Sequence, residues 1–165
     1  MELTKYLEQR LRSDCLKYLK RGRPDWDVFH TLACVFWMKK LLRYEKGDSK
    51  ILVTTMYLHD VGGADLFDKS HNSVVSQEKL KFEQMKRSKE ISKKILSEVG
   101  GFSEDEINKI LYLVGVHDNY DKITSSEYGQ LVFEADGLGQ IDRKRVKPTF
   151  SKKKLIKFFK PFQKT

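Results

Sequence analysis

Residues 51–63, with the sequence ILVTTMYLHDVGG, decide the fold. The eight residues from Ile51 to Leu58 are apolar except for two threonines, and a His-Asp pair, a valine and two glycines follow them. Glycines directly after an apolar run are typical of the end of a helix. We therefore predict a short, buried helix over residues 51–61. An ionised Asp60 at its end is unusual, because a carboxylate is rarely buried unless a cation or a metal pairs with it.

The segments on both sides of this helix also space their apolar residues with helical period. A first helix is predicted over about residues 2–20, and a second follows Asp25, which we expect to cap it and to place Phe29 inward. A long helix over about residues 74–99 is expected to turn Phe82 inward. A capping box opens the next helix at Ser103, a sixth helix surrounds residues 128–138, and the tail is a candidate seventh.

Length and composition exclude several classes of protein. The chain has 165 residues, of which 39% are hydrophobic and 33% are charged, with only three prolines. It is too apolar for a disordered protein, and it lacks the long apolar run of a membrane span. Its two cysteines, Cys15 and Cys34, form no Cys-x-x-Cys pair, which indicates a reduced, cytoplasmic location. We predict an all-α, single-domain bundle of about six to seven helices.

The net charge of +9 belongs to the end of the chain. Residues 143–165 hold ten of the 32 basic residues and no acidic residue, so residues 1–142 carry a net charge of −1. We therefore divide the chain into a helical domain, 1–142, and a basic C-terminal tail, 143–165. Phenylalanines alternate with the lysines of the tail, which favours a helix that docks on the body. The alternative is an arm that binds nucleic acid or an anionic membrane surface.

Histidines and acids stand at unusual places in the apolar pattern. His30 lies in the second helix, His59 and Asp60 end the third, and Asp136 interrupts the apolar segment LVFEADGLGQI. In a helical bundle, metal ligands project from several helices into one core cavity. This constellation indicates a metal site. The alternative is a set of hydrogen-bonded core histidines and solvated acids.

Three stretches in this order, DWDVFHT, YLHDVG and SSEYGQLVFEADGLGQID, resemble the HD-domain superfamily of metal-dependent phosphohydrolases, in particular its small single-domain members. The resemblance covers about residues 23–142. It implies an all-helical fold in which His30, His59, Asp60 and Asp136 bind one divalent ion. Imidazole and carboxylate ligands suit Mn, Fe, Co, Ni or Zn, and Mg is also possible. One metal is expected rather than two, because the additional histidine of dinuclear members is absent near residues 87–88.

The resemblance also implies a reaction, in which a metal-activated water hydrolyses a phosphoester. Asp60 is the expected proton acceptor, and Asp65 is a second candidate. His117 is expected to line the substrate pocket, although it could be an ordinary histidine at a helix end. Candidate phosphate ligands on the long helix are Lys86, Arg87 and Lys89, with a solvated helix face as the alternative reading.

We therefore predict a cytoplasmic phosphohydrolase, monomeric or homodimeric, for a small phosphorylated substrate such as a nucleotide. Two departures from the family pattern favour a different reading. The loop after the His-Asp pair lacks the Glu that some members use as a base, and the Arg that commonly supports the helix of Asp136 is absent. The first alternative is thus a metal-containing nucleotide sensor without catalysis. The second is a nucleic-acid-associated protein that acts through its basic tail.

Overall fold

A computed structural model describes residues 2–66 and 74–147. These residues form seven α-helices and one 3₁₀ turn, and no strand occurs among them. The prediction of an all-α fold is therefore confirmed. In chain order the elements are α1 (Lys5–Leu19), α2 (Asp27–Leu41), α3 (Ser49–Leu58), the 3₁₀ turn (Val61–Gly63), α4 (Val74–Val99), α5 (Glu104–Val116), α6 (Tyr120–Ile123) and α7 (Glu127–Ile141).

Helix α3 is the centre of the bundle. Every residue from Lys50 to Leu58 is buried, because α1, α2, α5 and α7 all pack against this helix. The apolar character of residues 51–58 is thus explained by burial on all sides rather than on one face. The helix ends at Leu58, and the 3₁₀ turn continues the chain against α4. This arrangement carries His59 and Asp60 into the interior.

Side-chain caps start most of the helices as the sequence indicates. The side chain of Asp48 accepts hydrogen bonds from the first amides of α3, and Ser103 forms the predicted capping box with Glu106. The expected cap at Asp25 is wrong. Helix α2 begins one residue later, after Trp26, without a side-chain cap, and Asp25 adopts a left-handed backbone conformation with φ of 59°.

Two predicted inward residues lie at the surface instead. Phe29 is 50% exposed and Phe82 is 69% exposed. Helix α2 turns a partly polar face inward, which includes His30, Thr31 and Cys34. Periodicity in hydrophobicity therefore located this helix but misjudged its buried face, since His30 and Cys34 on that face belong to the cluster described below.

Helices α2 and α7 approach closely because a glycine faces a cysteine between them. A Cβ atom on Gly139 would overlap the Sγ atom of Cys34 and would lie 3.1 Å from its backbone nitrogen. Only glycine allows this contact without a shift of one helix. The contact places Asp136, one turn earlier on α7, beside α2.

The short helix α6 lies in the polar segment between α5 and α7, and the side chain of Asn119 caps it. At the other end of α7, Val146 is buried against Trp26 and Ala33. Residues 148–165 lie outside the described residues. The predicted tail helix, and the choice between a docked helix and a binding arm, therefore stay predictions. His71 also lies outside the described residues. Among the described helices, none is long and apolar enough to cross a membrane.

Candidate metal centre

Four side chains from three parts of the bundle meet in one buried cluster, which we call the His-Asp cluster: His30 on α2, His59 and Asp60 after α3, and Asp136 on α7. The Nε2 atoms of His30 and His59 are 3.3 Å apart. Oδ1 of Asp136 lies 2.9 Å from the first of these nitrogens and 3.7 Å from the second. Oδ2 of Asp60 lies 3.6 Å from both. None of the four residues is more than 8% exposed.

Backbone carbonyls orient two of the imidazole rings in this region. Nδ1 of His59 is 2.8 Å from the carbonyl oxygen of Met56, and Nδ1 of His117 is 2.8 Å from that of Val114. A carbonyl oxygen only accepts hydrogen bonds, so each Nδ1 is the donor. Burial lowers the pKa of His59, so its neutral ring carries a lone pair on Nε2, which is the arrangement that metal-binding histidines use. Both Nε2 atoms lie on the side of the His-Asp cluster.

The donor atoms are spaced as the ligands of one metal ion would be. Ligands held at 2.0–2.3 Å from an ion, at tetrahedral or octahedral angles, lie roughly 2.9–3.7 Å from one another. The nitrogen and oxygen separations within the His-Asp cluster run from 2.9 to 3.7 Å. These separations suit the ligands of one divalent ion, and donor atoms of His30, His59 and Asp136 all lie within 4.8 Å of one another. The two buried carboxylates and the lone pair on Nε2 of His59 face the same position, where a bound cation would offset their negative charge.

Asp60 is held by three side chains from three other segments. Gln84 on α4 donates a hydrogen bond of 2.6 Å to Oδ1, and Nε2 of His117 lies 3.7 Å from the same atom. Arg23, before α2, donates to Oδ2 at 3.3 Å, and Asp27 accepts a hydrogen bond of 2.7 Å from the same guanidinium. These contacts leave the carboxylate little freedom to rotate.

Hydrogen bonds with Ser88 on α4 hold the backbone at and after the His-Asp pair. The hydroxyl of Ser88 donates to the carbonyl oxygen of His59 at 2.7 Å and accepts from the amide of Gly62 at 2.9 Å. A Cβ atom on Gly62 would overlap the backbone of Gln84 and Ser88. The first glycine after the pair is therefore needed for close packing, and it brings Gln84 within reach of Asp60.

Asp136 has a support that the sequence analysis did not foresee. The expected Arg is absent, but Gln140, one turn later on α7, donates a hydrogen bond of 3.3 Å to Oδ2. The thiol of Cys34 lies 3.8 Å from Oδ1. On the far side of the His-Asp cluster, the indole of Trp26 stacks on the ring of His30, with centroids 5.2 Å apart. This stack sets the plane of the His30 ring.

The charges of the cluster shift its pKa values strongly in the metal-free protein. Burial alone raises the pKa of Asp136, but the hydrogen bond and charge of His30 outweigh it and hold this pKa at about 2. In the same way, His59, His117 and Arg23 hold the pKa of Asp60 well below its usual value against burial. Burial lowers the pKa of His117, whereas the Asp60 and Asp118 carboxylates raise it to about 9. Both carboxylates are thus ionised at neutral pH and ready to bind a cation.

Several predicted site residues lie elsewhere. Asp65 is exposed and pairs with Arg21, whose Nε lies 3.0 Å from Oδ2. Arg87 is half-buried and donates a hydrogen bond of 2.5 Å to the carbonyl oxygen of Ala64. Lys86 and Lys89 are exposed, and in the described part of the chain neither pairs with a carboxylate of the His-Asp cluster. Helix α4 presents Gln84 and Ser88 to the cluster instead.

Three residues of the site were not predicted from the sequence, namely Arg23, Gln84 and Cys34. The position of Cys34 carried a signal, because it follows His30 by four residues and so lies on the same face of α2. Gln84 and Arg23 carried no such signal. Their neighbours in sequence are ordinary, and only the packing of α4 and of the segment before α2 brings them to Asp60.

Comparison with known proteins agrees with this geometry. The sequence profile described as the HD domain matches residues 28–140, which include all four residues of the His-Asp cluster. A search among curated proteins and a search among solved structures each found no match. The profile covers more than half of the chain, and the chain therefore belongs to the HD domain family, whose members are largely metal-dependent hydrolases.

Proposed function

We propose that this protein is a metal-dependent phosphohydrolase that cleaves a phosphoester bond in a small phosphorylated molecule such as a nucleotide. The observation that carries the proposal is the spacing of the donor atoms. Two imidazole Nε2 atoms and oxygens of two ionised carboxylates, all buried, surround one position at separations suited to a divalent ion.

In this proposal His30, His59, Asp60 and Asp136 hold the ion. A divalent ion held there supplies Lewis-acid activation of water and of a phosphoryl oxygen. Because imidazoles and carboxylates both contribute, Mn, Fe, Co, Ni and Zn are better suited than Mg. The protein chain contributes the positions of these donors, which the carbonyl of Met56 and the side chains of Gln84 and Gln140 restrain.

Proton transfer is assigned to Asp60 and His117. Asp60 presents Oδ2 to the two cluster histidines and Oδ1 to His117 and Gln84, so it contacts both the ion site and a second titratable group. A carboxylate in this position can accept the proton of the attacking water. His117, whose pKa is raised to about 9, holds a proton near neutral pH and can donate a hydrogen bond to a phosphoryl or leaving-group oxygen.

Arg23 is the cation nearest to the His-Asp cluster among the described basic residues. Its side chain is 37% exposed, although it pairs with both Asp27 and Asp60. A guanidinium that is partly accessible beside an ion site can bind phosphate oxygens in a forked geometry. We assign it a role in phosphate binding ahead of Lys86, Arg87 and Lys89, which were predicted from sequence.

Metal analysis followed by a phosphatase screen tests the proposal. The purified protein is expected to hold about one transition-metal ion per chain and to hydrolyse phosphomonoesters, nucleotides among them, when Mn²⁺, Co²⁺, Ni²⁺ or Zn²⁺ is added. His59→Ala should lose the metal and the activity. Asp105→Asn, which alters an exposed acid paired with Lys109, should keep both.

The outcomes separate the rival functions. A protein that binds one metal ion and nucleotides but hydrolyses none of the substrates would be a sensor rather than an enzyme. A protein that takes up no metal, even when each ion is supplied in excess, would contradict the proposal as a whole.

A further inference from the structure

We propose that the thiolate of Cys34 is an additional ligand of the ion in the His-Asp cluster and makes the site prefer Zn²⁺ and Co²⁺ over Mn²⁺ and Mg²⁺. The inference rests on the proposed function, because it concerns the same site. It goes beyond that function by assigning a ligand and a metal preference. Cys34 was not among the residues predicted to bind metal.

The position of the sulfur carries the inference. Sγ of Cys34 lies 3.6 Å from both ring nitrogens of His30 and 3.8 Å from Oδ1 of Asp136. Sγ, nitrogen atoms of His30 and His59, and an oxygen of Asp136 all lie within 4.8 Å of one another. Sulfur binds Zn²⁺ at about 2.3 Å and nitrogen at about 2.0–2.1 Å, so two such ligands at a tetrahedral angle lie roughly 3.6 Å apart.

The packing of α2 against α7 also leaves space for this sulfur atom. Cys34 is fully buried between α2 and α7, and Gly139 lies directly opposite it. Any side chain at residue 139 would overlap Sγ, so the absence of a Cβ atom there leaves the sulfur beside Asp136. Because α2 carries His30 one turn before Cys34, both residues face the same ion position.

Coordination by sulfur changes which ions the site favours. A thiol loses its proton to solvent as the sulfur–metal bond forms, so the bound ligand is a thiolate and no oxidant or reductant is needed. Thiolates are soft ligands, which favour Zn²⁺ and other late transition metals over Mn²⁺ and Mg²⁺. A site built only from imidazole and carboxylate would discriminate less between these ions.

Cys15 provides a matched control within the same chain. It is as fully buried as Cys34, but it lies on α1 in the apolar core and takes no part in the group of potential ligands. A variant of Cys15 therefore reports the effect of losing a buried thiol as such. A variant of Cys34 reports in addition the loss of a metal ligand.

Cobalt spectroscopy tests the inference without reference to activity. The metal-free protein, with either wild-type sequence or the substitution Cys34→Ser, Cys34→Ala or Cys15→Ala, is titrated with Co²⁺. Wild type and Cys15→Ala should develop the near-ultraviolet charge-transfer absorption of a cobalt–thiolate bond together with the visible bands of bound Co²⁺. The Cys34 variants should keep the visible bands and lose the charge-transfer absorption.

Competition between Zn²⁺ and Mn²⁺ provides the second measurement. We expect the preference of the wild type for Zn²⁺ to fall by about tenfold or more in Cys34→Ala and to remain unchanged in Cys15→Ala. Wild-type protein that binds Co²⁺ without charge-transfer absorption would overturn the role of Cys34 and leave the metal site intact. Wild-type protein that binds no Co²⁺ and no Zn²⁺ would overturn both proposals.

Discussion

The two ends of helix α3 both bury charged side chains, but they bury them in different ways. At its start, the Nζ atom of Lys50 lies 2.9 and 2.7 Å from the two carboxylate oxygens of Glu106 on α5. The ring of Phe102 lies 5.1 Å from the same ammonium group, and the backbone amide of Ser103 donates to Glu106. One cation and one anion are thus matched, with further contacts around them.

At the other end of α3, the ions are not matched pair by pair. Asp60 and Asp136 meet the imidazole groups of His30 and His59, and Arg23 alone among the described lysines and arginines adds a permanent positive charge there. The nitrogen lone pair of His59 faces these acids rather than a donor. The comparison shows how a structural ion pair differs from a proposed metal site in the same core. In the Lys50–Glu106 pair, each charge has a partner of opposite sign. In the His-Asp cluster, carboxylate oxygens and imidazole nitrogens outnumber the permanent positive charges, and a metal ion would balance them.

The largest effect on stability is expected at the first end. Glu106→Gln would leave the buried ammonium of Lys50 without a counter-charge, which costs about 3 kcal/mol of the free energy of unfolding. Urea unfolding of the metal-free protein measures this loss, with Asp105→Asn as the exposed control on the same helix. The metal content of the folded variant should not change. A variant as stable as the wild type would show that the pair is not structurally important.

The pH dependence of stability provides a second test of the Lys50–Glu106 pair. Burial raises the pKa of Glu106, but the hydrogen bonds from Lys50 and from the Ser103 amide outweigh it and lower the folded-state pKa below the ordinary value of 4.5. Because the folded-state value is the lower one, the stabilisation is complete above pH 4.5 and is lost as the pH falls through the folded-state pKa. The difference in unfolding free energy between wild type and Glu106→Gln should therefore narrow in acid. A gap that stays constant there would contradict this explanation.

A smaller effect, and one of a different kind, is expected at the second end. Gln84→Leu keeps a side chain of similar volume but removes the hydrogen bond of 2.6 Å to Asp60. Because Gln84 orients a proposed ligand, we expect the affinity for Zn²⁺ to fall by about tenfold or more. Titration against a competing chelator measures this change. Gln130→Leu, on the exposed side of α7, is the control and should bind Zn²⁺ as the wild type does.

The smallest effect is expected for Asp65→Asn. Asp65 has a left-handed backbone with φ of 57°, which asparagine also tolerates, and its carboxylate pairs with Arg21 at the surface. We expect kcat/KM to change by less than about twofold, because exposed ion pairs contribute little. Asp60→Asn should lose activity under the same assay. A large loss of kcat/KM in Asp65→Asn would indicate that Asp65, rather than Asp60, is the proton acceptor and belongs to the site.

Much of the fold was predictable because the signals that define a helix are local. Apolar spacing and the capping box at Ser103 depend on residues within a few positions of one another, and the structure confirms the helices they predicted. Local signals fail where burial depends on distant neighbours. Phe29 and Phe82 look like inward residues in their own helices, but no other element covers them in the described part of the chain.

The residues of the candidate site were predictable only in part for the same reason. His30, His59, Asp60 and Asp136 were recognised from three short stretches, and the structure brings their donor atoms together. That these residues bind metal stays a prediction. Lys86, Arg87 and Lys89 were chosen because a long helix was expected near the site. A helix has several faces, however, and sequence alone did not say which face α4 presents.

The amino-acid sequence by itself determined the helical class, the approximate position of most helices and the residue types available for a metal, since these depend on local spacing and on the chemistry of each side chain. Tertiary structure alone decided which groups surround the ion position. Gln84 and Arg23 reach Asp60, and Cys34 reaches Asp136, only because helices far apart in the chain pack with particular faces together. Close packing selects those faces through many small contacts, of which the fit of Gly139 against Cys34 is one.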